Sequence, residues 1–69
     1  MNKDIIAGKW HEVKGHLREN WGELTNDDVA AMKGSTEELY GLLQKKYGYD
    51  KDRANQEIKK FLDKHKFND

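Results

Sequence analysis

The chain has 69 residues, 35% of them hydrophobic and 38% charged, with thirteen basic residues balancing thirteen acidic ones and a mean hydropathy of −1.17. That length admits a single domain, 1–69, with one thin core and a stability of about 2–5 kcal/mol, and the absence of cysteine excludes both a disulfide framework and a thiolate metal site. The interspersed charges speak against a polyanion as the main partner, because counterion release needs a clustered basic surface. With no signal-length apolar stretch at the N-terminus and no apolar run of membrane-span length, the expectation is a cytoplasmic monomer without a membrane span.

Proline is absent, so punctuation falls to six glycines. They form two triplets, Gly8, Gly15, Gly22 and Gly34, Gly41, Gly48, each with steps of seven, offset by twenty-six. The same offset superposes Glu12 on Glu38, Val13 on Leu39, Leu17 on Leu43 and Trp21 on Tyr47, an internal repeat with copies at about 8–28 and 34–54.

In the first copy Ile6, Trp10, Val13, Leu17, Trp21 and Leu24 recur at steps of three and four. At about 100° per residue they fall in one stripe roughly 80° wide, the mark of an amphipathic helix. Gly8 and Gly15 lie nearly opposite that stripe and weaken the helix on its solvated face. Gly22 is placed to end it in the left-handed conformation. Thr25 through Asp28 reads as an N-cap with an acidic residue at the third helical position, with Leu24 and Val29 at hydrophobic-staple spacing, opening a short second helix to about Lys33.

Ser35 through Glu38 is a capping box for a third helix, whose stripe is Leu39, Leu42, Leu43 and Tyr47. Lys45 and Lys46 complement its negative end before Gly48. Asp50 caps a fourth helix with Ala54, Ile58, Phe61 and Leu62 inward, and the tail, 64–69, is expected to fray. The predicted fold is therefore all-α, a small four-helix array of two helical hairpins related by the internal repeat.

The segments Lys14-Gly-His-Leu-Arg-Glu19, Trp21-Gly-Glu-Leu-Thr25 and Gly48-Tyr-Asp-Lys-Asp-Arg-Ala54 resemble the CsbD-like bacterial stress-protein family, in particular its YjbJ branch. That family carries a repeated lysine-glycine-lysine-aliphatic-lysine-glutamate element. The first copy here keeps Lys14, Gly15, Leu17, Arg18 and Glu19 with His16 for the second lysine, and the second keeps Gly41, Leu42, Leu43 and Gln44. The resemblance implies a helical array made under general stress, with no established catalytic, cofactor-binding or metal-binding residues.

Read for chemistry, the chain offers little that converges. Glu12, His16 and Glu19 share a helix face, but no fourth metal ligand is placed by the spacing, and a solvated face with ordinary side-chain pairs is the preferred reading. Ser35, the single serine, is engaged as an N-cap, so nucleophilic catalysis is not expected. Glycines seven apart inside helices do not make a phosphate loop. The candidate contacts for a nucleic-acid or protein partner are Lys14, Arg18, Tyr40, Lys45, Lys46 and Tyr49, where cations and rings interleave. The expected function is that of a non-enzymatic, protective hydrophilic stress protein, with a small nucleic-acid-binding or protein-binding helical module as the alternative.

Overall fold

The computed structural model describes residues 4–67, which form five helices: α1 (Ile5–Gly8), α2 (Trp10–Asn20), α3 (Asn26–Ala31), α4 (Thr36–Tyr47) and α5 (Lys51–Lys64). No strand occurs among the described residues. One more helix is present than the four expected, because the first amphipathic stripe is split at Lys9 (φ −121°, ψ 29°). The reason lies at both sides of the break. Gly8 is a weak helix former, and α1 is pinned elsewhere: Asp4 caps it by accepting the Ala7 N–H at 3.0 Å and also accepts the N–H and hydroxyl of Thr36 at 3.0 and 2.6 Å. The Lys9 carbonyl then starts α2 by accepting the N–H groups of Glu12 and Val13.

The capping signals read from the sequence are formed. Thr25 and Asp28 exchange both bonds of a capping box at the start of α3, and Ser35 and Glu38 do the same at α4. Asp50 accepts the Arg53 N–H at 2.8 Å to cap α5, and Gly48 ends α4 at φ +70°. Gly22 differs from expectation. It is not left-handed, because Trp21 leaves α2 in an extended conformation and the chain reverses through a turn closed by the Leu24 N–H on the Trp21 carbonyl.

The apolar stripes meet in one core of Ile6, Val13, Leu17, Trp21 and Leu24 from the first half, and Leu39, Leu43, Ala54, Ile58 and Phe61 from the second, with Met32 between. Helix α1 packs on α2 and α4, α2 on α3, and α4 on α5. Trp21 tilts against Phe61 at 4.9 Å between ring centroids. Of the tail expected to fray, 64–67 is described: α5 runs through Lys64, Lys66 takes φ +58°, and Phe67 folds back into the core with its N–H on the Leu62 carbonyl at 2.9 Å. Residues 68 and 69 lie outside the described residues.

Gly34 has the tightest backbone requirement. Its φ is +102°, it is buried, and a Cβ built there would stand 2.7 Å from Cγ of the Trp10 indole. Gly41, in the middle of α4, has nothing within 4 Å of a Cβ and an ordinary φ. Gly34→Ala should therefore destabilise the protein by about 2 kcal/mol or more, from left-handed strain plus displacement of the ring. Gly41→Ala should stabilise it by up to about 1 kcal/mol. Denaturant unfolding of the two variants measures both signs.

Candidate functional site

The six residues singled out from the sequence separate into two groups. Lys14 and Arg18 are brought together on α2, one turn apart and in line with Trp10. They line a cleft of about 430 Å³ between α2 and α3, whose apolar wall is Trp10, Val29 and Met32 and whose side is left open by Gly15. The Arg18 guanidinium donates to Asn26 Oδ1 at 2.7 Å, which fixes it at the cleft rim. Neither Lys14 nor Arg18 makes a salt bridge among the described residues.

The other four lie on and after α4. The Tyr40 hydroxyl donates to Asn55 Oδ1 at 2.6 Å, tying α4 to α5. Lys46 pairs with Asp28 at 3.0 Å, tying α4 to α3. The Tyr49 ring stacks on Tyr47 at 5.2 Å and lies under the Arg53 guanidinium at 4.7 Å. Lys45 remains exposed beside a shallower hollow of about 290 Å³ that Leu42 and Met32 also line. Tyr40, Lys46 and Tyr49 are thus engaged within the fold, whereas Lys14 and Arg18 face a cleft with their charges unpaired.

Trp10 and Asn26 were not among the sequence candidates. The helical stripe assigned Trp10 to the core, but the break at Lys9 leaves its indole half-buried at the cleft. A further cluster joins the middle of α2 to the end of α5. His16 Nδ1–H donates to Glu19 Oε1 at 3.3 Å, and the His16 ring stacks on His65 at 4.2 Å. His65 in turn meets Phe61 edge-on at 5.0 Å and Phe67 at 5.7 Å. Among the described residues no group of three or more histidine, cysteine or acidic side chains is arranged to hold a metal ion. No helix among them is long and apolar enough to cross a membrane.

The electrostatics follow these contacts. Glu38 gathers the N–H groups of Lys33, Gly34 and Ser35 at 2.8 to 3.0 Å, and those donors, the Lys33 N–H foremost, hold its carboxyl below the usual range. Desolvation opposes ionisation of Asp4, but the donors of Thr36 together with the N–H groups of Ala7 and Ile6 outweigh it and hold its carboxyl low as well. Asp28 is lowered by the Thr25 N–H and by Lys46. His65 is pushed down, chiefly by desolvation and then by His16 and Lys64, against a smaller opposing pull from Glu19. Its Nε2 is shut off from solvent with no hydrogen-bond partner among the described residues.

Fold and surface together define a small helical array with a donor-lined cleft on one side and no group of side chains arranged to hold a metal ion among the described residues. The CsbD-like family model matches residues 4–56, and the chain belongs to the CsbD-like family. It is similar to a UPF0337 protein of Pseudomonas aeruginosa, 48% identical over 93% of this chain and 98% of that one. A UPF0337 protein of Pectobacterium atrosepticum is 43% identical over 97% of each chain. The UPF0337 protein YjbJ of Escherichia coli is 40% identical over 97% of each.

Acid should destabilise the protein over two successive pH ranges. The fold favours neutral His65, so that stability is complete above the ordinary value of 6.5 and declines as pH falls through 6.5 toward the lowered native value. Glu38 and Asp4 contribute stability that is complete above their ordinary values of 4.5 and 3.8 and is lost as pH falls through their lower native ones. Thermal melts followed by circular dichroism at stepped pH should show both declines, and His65→Phe should abolish the first while leaving the second.

Proposed function

We propose that this chain is a non-enzymatic general stress-response protein that acts in the cytoplasm as a monomeric, hydrated protectant of other macromolecules. The observation that carries this reading is the partition of polarity: the buried described residues are apolar side chains and Gly34, and no polar or charged residue is buried. The charged side chains of the described residues therefore remain at the surface to hold water over a very small core. The two signs are interspersed along the chain, so the surface avoids large single-sign patches. Membership of the CsbD-like family supports the stress setting through the resemblance described above.

The side-chain inventory supports a non-catalytic role. Ser35 is committed to Glu38, accepting its N–H at 3.2 Å and donating to Oε1 at 3.2 Å, so the one serine is held as a cap rather than as a nucleophile. A second reading, a small nucleic-acid-binding or protein-binding module, is favoured by one observation, the unpaired Lys14 and Arg18 beside Trp10.

A test enzyme dried or heated with the protein should retain more activity than with albumin at equal mass, and parity with albumin would end the protectant reading. The binding-module reading, in its nucleic-acid form, predicts retarded mobility of labelled single strands at low salt that fades at moderate salt. No retardation at low salt removes that form.

A further inference from the structure

The cleft between α2 and α3 has a composition that selects a ligand. Its polar lining is supplied by Lys14, Arg18 and Asn26, and no acidic side chain among the described residues lines it. Asn26 Oδ1 is occupied by the Arg18 guanidinium, which leaves its amide NH2 as the free polar group. The rim therefore presents donors and positive charge, which suits an anion rich in acceptor oxygens and repels a cation. The apolar part of the lining, Trp10, Val29 and Met32, suits a flat ring.

The order along α2 adds geometry. Trp10, Lys14 and Arg18 follow one another at steps of four residues, about 6 Å of helix rise each. Ring, ammonium and guanidinium thus form a row in which an aromatic group and its attached phosphate can be held at once. The Arg fork matches a phosphate bidentately, and the ammonium adds a point charge.

Size excludes the larger alternatives. A volume of about 430 Å³ falls within the range of small-molecule sites, about 300–1,000 Å³. A stable protein interface takes about 800 Å² from each partner, far more than eight lining residues supply. Two cations also match one phosphate group rather than the long track that a polynucleotide needs.

Gly15 completes the argument. It lies inside α2, where glycine costs up to about 1 kcal/mol relative to alanine. Nothing in the fold requires it: its φ is ordinary and a Cβ would meet nothing within 4 Å. What the missing side chain leaves is the open side of the cleft.

We propose that this cleft is a binding site for a nucleoside phosphate, with the base against Trp10, Val29 and Met32 and the phosphate on Lys14 and Arg18. The site narrows the binding-module reading to one place on the surface and does not depend on the protectant reading.

The test is a nuclear magnetic resonance titration of the isotope-labelled full chain at low salt with adenosine monophosphate. Adenosine, inorganic phosphate and a short oligoadenylate serve as separate arms. Shifts should concentrate on the Trp10 indole N–H and the backbone amides of Gly15, Ala30 and Met32, and the monophosphate should bind at least about tenfold more tightly than either half. Arg18→Gln should weaken it by about tenfold or more, in line with loss of a charge-assisted bond. Gly15→Leu should abolish binding while raising the melting temperature, a pair of opposite effects that misfolding cannot produce. Absence of shifts with the monophosphate, equal binding of adenosine or phosphate alone, or indifference to Arg18→Gln would overturn the assignment. Binding of the oligoadenylate without the monophosphate would overturn it too, while leaving the broader nucleic-acid reading standing.

Discussion

The contact on which the rest of this fold depends is Gly34 lying against the indole of Trp10. It exists because the Glu38 carboxylate draws the N–H groups of Lys33, Gly34 and Ser35 onto itself, shaping the loop between α3 and α4 into a form that a side chain at residue 34 would obstruct. The same loop delivers Thr36 to Asp4, so the start of α4 is tied to the start of α1. One carboxylate thus organises a turn, and the turn seats a ring. Charged groups do this work at the surface, with bonds from backbone N–H groups that would otherwise be orphaned at a helix start.

Much of this architecture is legible in the residues. Caps are local chemistry, and Thr25, Ser35, Asp50 and Gly48 all act within a few residues of themselves, so they act in the structure as they read in the sequence. The apolar stripes are equally local in origin, and Val13, Leu17, Leu39, Leu43, Ala54, Ile58 and Phe61 are buried as their periodicity requires. What escaped was set by partners distant along the chain. The split at Lys9 follows from an anchor on Thr36, and Phe67 is buried where His16, on the distant helix α2, meets His65 and Phe61 at the end of α5. Gly22 occupies the expected place after a helix but needs no left-handed conformation, since Trp21 has already turned the chain outward.

The cleft shows the same limit. Lys14 and Arg18 stand out as cations on one helix face, but only the loop after α2 decides that Asn26 and Val29 lie opposite them. Repetition in the sequence likewise does not mean repetition of role. Gly22 and Gly48 correspond at an offset of twenty-six, yet only Gly48 is left-handed, and Gly8 is helical where Gly34 is not. Val13 and Leu39, and Leu17 and Leu43, are buried alike, whereas Trp21 is buried and Tyr47 only half-buried.

The two tryptophans occupy different environments, and this makes the protein its own optical instrument. Trp21 is sealed beside Phe61 at 3% exposure, so its emission follows the closure of the whole core. Trp10 is half-buried between Gly34 and the cleft, so its emission responds to local movement of a single loop. With the other tryptophan replaced by phenylalanine in each case, fluorescence can therefore separate a local opening beside α4 from global unfolding.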